Sequence, residues 1–100
     1  ADHQVKLLGY RIELGEVEAV LSSLDEIEEV VVVFRATEPA EIGALMVVRE
    51  GFDTDEVRAA MNAVLPSYMV PTTVVEIDGD YPMTSNGKYD RRAITERVFG

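Results

Sequence analysis

Lys88 stands in a setting where a lysine can do chemistry. It follows Asn86 and Gly87, and an Asn-Gly pair indicates a tight turn because both residues tolerate a positive φ. Asp90 is a suitable N-cap for a final helix over residues 91–98, which would fix the far side of the turn. An ammonium held out on such a turn can offset negative charge on a substrate, although an ordinary exposed lysine fits the same pattern.

The elements that must position this turn begin with two short strands and a helix. Residues 4–8 and 10–13 read as a β-hairpin about Gly9, because apolar and polar residues alternate on its second strand. The connection is so short that its turn type stays open. Residues 15–24 carry apolar side chains at helical spacing, which predicts an amphipathic helix with one buried face.

A second set of elements supplies the core for that helix. Residues 30–34 are apolar on both faces, as in a central strand, so we expect an inner strand there, paired in a hairpin with residues 43–48. Asp53 and Glu56 form a capping-box pattern before a helix that Pro66 ends, and residues 73–77 predict a third strand. The sequence therefore predicts a single α+β domain: an N-terminal β-hairpin, then a small three-stranded sheet packed with about three helices.

Composition limits the possible functions. The chain has 100 residues, no cysteine, one histidine (His3) and a formal net charge of −10. We therefore expect no disulfide, no metal cluster and no broad nucleic-acid or membrane surface, and a cytoplasmic setting. No apolar run approaches the roughly 18 residues of a membrane span. A domain this small is expected to need a partner surface for elaborate chemistry. Glu13 and Glu16 could serve in acid/base work, but a structural role is the stronger interpretation.

Three stretches carry a resemblance to a known family. They are Asp2-His3-Gln4-Val5-Lys6-Leu7-Leu8-Gly9-Tyr10-Arg11-Ile12-Glu13-Leu14-Gly15-Glu16-Val17-Glu18, then Leu65-Pro66-Ser67-Tyr68-Met69-Val70-Pro71, then Asn86-Gly87-Lys88-Tyr89-Asp90-Arg91. In this order and at these separations they resemble motifs of adenylate-forming enzymes, most closely the amino-acid-activating adenylation domains of nonribosomal peptide synthetases. The resemblance spans nearly the whole chain and implies its small C-terminal (lid) subdomain, residues 1–100, starting at the hinge between subdomains.

The resemblance implies roles for several of the matching positions. Lys88 falls on the catalytic lysine, which contacts the substrate carboxylate and the α-phosphate region of ATP. Asp2 falls on the hinge about which the subdomain rotates after adenylate formation. Gly9, with Lys6 and Arg11 beside it, falls where the phosphopantetheine arm of a carrier protein passes in the second conformation.

Further implied roles are less specific. Lys6, Glu13, Asn86 and Gly87 match positions that contact the nucleotide or the large subdomain, although fold-maintaining surface roles fit Lys6, Arg11 and Glu13 equally well. The resemblance also implies ATP and Mg²⁺ as substrates of the complete domain, a peptidyl carrier protein and the large N-terminal subdomain as partners, and an amino or aryl acid as the activated compound. The substrate choice lies in the large subdomain.

Two positions depart from the family pattern. Leu8 stands where an arginine is common, which puts in doubt any polar contact made from there. Ser85 stands where the last motif usually has proline, which should only loosen the turn. Two alternatives therefore stay open: a catalytically silent structural copy within a synthetase, and a free-standing module that binds a partner through the basic C-terminal end.

Overall fold

The computed structural model describes residues 3–100 of the chain, in which strands and α-helices follow in the order β-β-α-β-β-α-β-α. The strands are β1 (Gln4–Leu7), β2 (Tyr10–Glu13), β3 (Ile27–Arg35), β4 (Glu41–Val48) and β5 (Thr73–Glu76). The helices are α1 (Leu14–Ser22), α2 (Thr54–Val64) and α3 (Arg91–Phe99), with a 3-10 turn at Ser67–Met69. This confirms the predicted α+β architecture of a hairpin, a small sheet and three helices.

The strands form two separate sheets. β1 and β2 pair antiparallel as a hairpin, and the main sheet has the order β3-β4-β5. β3 and β4 are antiparallel, as predicted, whereas β5 runs parallel to β4. The prediction that residues 30–34 form an inner strand is wrong, because β3 lies at the edge of the sheet and β4 at its centre.

Helices cover both faces of this sheet, which explains why β3 is apolar on both sides. On one face, Val30 and Val32 of β3 join a core made with α1 and α2, which includes Leu21 and Met61. On the other face, the alternate β3 residues Val31 and Val33 join a smaller core made with α3, which includes Ile94 and Val98. An edge strand thus carries the apolar pattern of a central strand, because helices bury both of its faces although it has a neighbouring strand on one side only.

Local sequence signals set the helix boundaries. The Asp53 carboxylate accepts a hydrogen bond from the Glu56 N–H and the Glu56 carboxylate accepts one from the Asp53 N–H, a complete capping box at the start of α2. Asp90 caps α3 through the Ala93 N–H at 3.1 Å. Both caps confirm the sequence-based predictions, and α1 begins one residue earlier and ends two residues earlier than predicted.

The β1–β2 hairpin is attached to the main body through its apolar face. Ile12 is fully buried in the larger core, and Val5 and Leu7 pack against it. The Tyr10 ring stacks on the Tyr68 ring with the centroids 3.7 Å apart. The first and second of the three sequence motifs are therefore in direct contact.

Gly43 provides a stability test of the packing between β4 and α3. A Cβ atom there would lie 2.6 Å from Phe99 Cζ and 2.7 Å from Val98 Cγ1, so these side chains or the helix that carries them would have to shift. We expect Gly43→Ala to lower the free energy of unfolding by about 1–3 kcal/mol, measured by chemical denaturation. Combining it with Phe99→Leu should recover part of the loss, and a Gly43→Ala variant as stable as the parent would contradict this packing.

Candidate functional site

The turn that carries Lys88 is a three-residue hairpin loop with a glycine bulge. The Gly87 N–H donates to the Thr84 carbonyl at 3.0 Å and the Thr84 N–H donates to the Lys88 carbonyl at 2.7 Å, while Gly87 has a φ of 82°. Asn86 is not among the residues with a positive φ, so the expected use of left-handed backbone at both positions is correct for Gly87 and wrong for Asn86. The Lys88 N–H is also held by the Thr84 hydroxyl at 3.2 Å.

Tyr81 anchors the N-terminal side of the turn. Its ring is buried in the smaller core, and its hydroxyl lies 2.9 Å from the carbonyl oxygens of both Glu29 and Leu45. Burial, together with the negative charge of Glu29, raises the pKa of Tyr81, so the phenol stays neutral and remains a hydrogen-bond donor. The chain that enters the turn is thus fixed to two strands of the main sheet.

Tyr89 anchors the opposite side, directly after Lys88. Its hydroxyl donates to the Glu29 carboxylate, and its ring lies 5.4 Å from the Tyr81 ring at an angle of 58°. The hydrogen bond to the Glu29 carboxylate, with burial adding to it, raises the pKa of Tyr89 to about 12. The two arms of the hairpin also meet in a backbone bridge between Met83 and Tyr89.

Arg91 ties the start of α3 to the free edge of β3. Its guanidinium donates to the Val32 carbonyl at 3.2 Å and forms an ion pair with Glu18 of α1 at 3.4 Å. The Glu18 carboxylate also accepts a hydrogen bond from the Val32 N–H at 2.8 Å. One residue pair therefore satisfies both backbone groups of Val32 and joins α1, β3 and α3.

The Lys88 side chain itself is exposed. Within residues 3–100 the ion pairs join Arg35 to Glu41 and Arg91 to Glu18, so the ammonium of Lys88 has no carboxylate partner in that part of the chain. An open surface cavity of about 740 Å³ lies beside the turn, with Lys88, Arg91, Glu29 and Asp80 in its lining. The arrangement presents an exposed positive charge on a turn that is anchored on both sides.

The β1–β2 hairpin presents a second group of predicted site residues. Lys6 pairs with Arg11 across the two strands, so both side chains lie on the polar face, opposite the face that holds Ile12. The Arg11 guanidinium donates to the Gln4 side chain. In the described part of the chain, no hydrogen bond or ion pair joins this group to Asn86, Gly87 or Lys88.

The hairpin tip is a two-residue turn of the type in which both residues have a positive φ. Leu8 has a φ of 54° and Gly9 a φ of 82°, so the turn is of type I′ and Leu8 belongs to it rather than to the predicted first strand. The Leu8 side chain is 79% exposed. A Cβ atom at Gly9 would meet nothing within 4 Å in the described chain, so the space beside Gly9 is open.

Two other predicted site residues have different outcomes. The Glu13 carboxylate accepts a hydrogen bond from the Gly15 N–H and caps α1. The sequence had left open whether Glu13 maintains the fold or contacts the nucleotide or the large subdomain. This hydrogen bond gives it a fold-maintaining role. Asp2, the expected hinge, lies outside the described residues.

Across residues 3–100 the structure contains no group of three or more His, Cys, Asp and Glu side chains arranged to hold a metal ion. In the same part of the chain, the helices are all too short or too polar to cross a bilayer.

Comparison with known proteins defines the class of this fold and turn. Residues 16–88 match the model of the AMP-binding enzyme C-terminal domain, a part of adenylate-forming enzymes. The chain is 48% identical over 101 residues to a dimodular nonribosomal peptide synthase of Bacillus subtilis, with 99% of the chain and 4% of that protein covered. It is 44% identical over 97 residues to tyrocidine synthase 3 of Brevibacillus parabrevis, with 95% of the chain and 2% of that protein covered.

A solved structure gives the same result. A four-domain nonribosomal peptide synthetase bound to AMP and glycine superposes with a TM-score of 0.79 at 38% identity, over 97% of this chain and 7% of that one. The chain thus spans only a few per cent of the length of these relatives. It belongs to the AMP-binding enzyme C-terminal domain family, as its motifs predict.

Sequence reasoning missed the residues that hold the lysine turn in place. Tyr81, Tyr89 and Glu29 meet through contacts 52 and 60 residues apart in the chain, and no local pattern predicts such pairings. The Glu18–Arg91 pair could not be predicted either, since these two residues lie 73 positions apart in the chain. An aromatic residue on each side of the turn is the one signal that could have suggested a shared anchor.

Leu8 provides a test of the hairpin geometry. Because a Cβ-bearing aliphatic residue is strained at positive φ and asparagine is tolerated there, we expect Leu8→Asn to raise the free energy of unfolding by about 0.5–1 kcal/mol. The matched control is Leu8→Ala, which removes the exposed side chain but keeps the strain and should bring no gain. Equal unfolding free energies for the two variants in chemical denaturation would contradict a type I′ turn.

Proposed function

We propose that this chain is the mobile C-terminal subdomain of an amino-acid-activating adenylation domain. In the first step Lys88 supplies the catalytic ammonium for ATP-dependent formation of an aminoacyl adenylate. The subdomain then rotates about Asp2 and supports thioester transfer to the phosphopantetheine arm of a carrier protein. The observation that carries the proposal is the Lys88 ammonium, exposed and without a carboxylate partner in the described chain, on a turn anchored on both sides.

The charge requirements of adenylate formation support this role for Lys88. Attack of a carboxylate on the α-phosphate brings two anions together, and a preorganised ammonium between them offsets their repulsion and the developing charge. A lysine already paired with a carboxylate would have to break that pair first. The fixed base of the turn keeps the ammonium within a limited volume, while its four-carbon stem lets it adjust to the substrate.

The complete reaction needs groups from outside this chain. ATP and Mg²⁺ would enter as substrates of the complete domain, held mainly by the large N-terminal subdomain. Asn86, Gly87 and Lys6 would contact that subdomain or the nucleotide, and so would Glu13 beyond its role in capping α1. The activated compound would be an amino or aryl acid. We assign no nucleic-acid or membrane partner and place the protein in the cytoplasm.

The β1–β2 hairpin would serve the second step. Its exposed polar face carries Lys6 and Arg11, which suit the phosphate of a phosphopantetheine arm. Gly9 at the tip has open space where a side chain would be, so a narrow arm could pass close to its backbone. Leu8, at the same tip, offers no charge to that phosphate.

Exchange of labelled pyrophosphate into ATP tests the role of Lys88. In the complete protein, assayed across a panel of amino and aryl acids, we expect Lys88→Ala to lower the exchange rate by about 10²–10³, because one preorganised charge is lost from the transition state. The matched control is Arg92→Ala, which removes an exposed cation from α3 and should leave exchange unchanged. The same panel identifies the substrate.

Two outcomes would contradict the proposal. Exchange that survives Lys88→Ala unchanged would remove Lys88 from the adenylation step. A folded complete protein that shows no exchange with any amino or aryl acid of the panel would favour a silent structural copy. Thioester formation from preformed adenylate should be unaffected by Lys88→Ala, since the lysine is proposed to act only in the first step.

A further inference from the structure

Glu29 contacts both arms of the hairpin that carries Lys88 (residues 81–89) and attaches them to the main sheet. Its carboxylate accepts the hydrogen bond from the Tyr89 hydroxyl, and its backbone carbonyl lies 2.9 Å from the Tyr81 hydroxyl. Glu29 sits where the register between β3 and β4 shifts, between Ile27 and Glu29. One residue of β3 therefore contacts the chain both before and after Lys88.

Most other contacts of the hairpin are internal and do not fix its direction. The bonds between Thr84 and Gly87 and between Thr84 and Lys88 shape the loop but do not join it to the sheet. Met83, on the arm opposite Tyr89, is 50% exposed and adds little packing. The side chain nearest to Lys88 that reaches the sheet is thus Tyr89, one residue away along the chain.

We propose that Tyr89 and Glu29 form a positioning pair that fixes the direction in which the hairpin presents Lys88 during adenylate formation. This inference rests on the proposed function of Lys88. Tyr89 directly follows Lys88 in the chain, so a Tyr89 side chain held against Glu29 restricts the backbone from which the Lys88 side chain extends. Neither Tyr89 nor Glu29 needs to touch the substrate.

The chemistry of the pair suits this task. A phenol that donates to an ionised carboxylate makes a charge-assisted hydrogen bond, which is stronger and more directional than a neutral one. The tilted contact with the Tyr81 ring restricts the Tyr89 ring from a second side. Because the pKa of Tyr89 is raised to about 12, the hydroxyl keeps its proton well above neutral pH and remains a hydrogen-bond donor.

The test measures kcat and KM for pyrophosphate exchange in the complete protein carrying Tyr89→Phe. This variant keeps the ring and its packing and removes only the hydroxyl. We expect kcat to fall by about tenfold with KM for ATP and for the acid unchanged, since a misdirected ammonium weakens the transition state more than substrate binding. The matched control is Tyr68→Phe, the same hydroxyl deletion on the opposite face of the sheet, which should leave exchange unchanged.

Variants of Glu29 separate an anchor from a charge effect. Glu29→Ala removes the acceptor and should lower kcat as much as Tyr89→Phe does. Glu29→Gln keeps a side-chain acceptor while removing the charge, so it should retain most of the rate. A Glu29→Gln variant as slow as Glu29→Ala would overturn the hydrogen-bonded anchor.

A double-variant cycle shows whether the pair acts through Lys88. In the Lys88→Ala background, Tyr89→Phe should cause no further loss of exchange, because there is no ammonium left to direct. A further tenfold loss in that background would overturn the inference, as would an unchanged kcat in the single variant. Thioester formation from preformed adenylate should stay at the parental rate in Tyr89→Phe, whereas a general folding defect would lower both steps.

The two proposals fail in different ways. If Lys88→Ala leaves exchange intact, the proposed function itself is wrong. If Lys88→Ala abolishes exchange but Tyr89→Phe has no effect, only the positioning pair is wrong.

Discussion

The free edge of β3 at Val32 is the constraint on which the rest of this domain depends. An edge strand buried between helices leaves backbone groups that need partners, and here the Glu18 carboxylate accepts from the Val32 N–H while Arg91 donates to its carbonyl. The two side chains then pair with each other at 3.4 Å. Satisfying one residue of β3 thus requires α1 on one side of the sheet and the start of α3 on the other to be in fixed places.

The position of the lysine turn follows from this arrangement. Arg91 is the first residue of α3, and Asp90, its cap, directly follows Tyr89 and Lys88. The edge contact therefore sets where the hairpin leaves the body, and Tyr81 and Tyr89 set how it is inclined. The backbone of Lys88 is held by these contacts, whereas its charged group forms no ion pair in the described chain. An anchored turn that carries one exposed cation suits the proposed delivery of Lys88 to a site on another surface.

Local signals predicted much of the fold. Asp53 with Glu56, Asp90 before α3 and the glycine of each hairpin all act within a few residues, so the sequence alone indicates the caps and turns they form. The apolar run of β3 predicted a central strand. Burial of both faces, however, does not reveal whether a strand has neighbouring strands at both of its edges. The contacts of Glu29 and Glu18 escaped prediction because each depends on packing between distant segments. Leu8 at positive φ is a further exception, since its residue type favours a strand and Gly9 dictates the turn.

The direct test of the central claim is a crystal structure of the complete protein with a non-hydrolysable aminoacyl-adenylate analogue. The account predicts Lys88 Nζ within about 3 Å of an oxygen of the analogue's phosphate or of its acyl group, with Tyr89 still hydrogen-bonded to Glu29. A closed complex in which another cation occupies that place, while Lys88 remains in solvent, would contradict it.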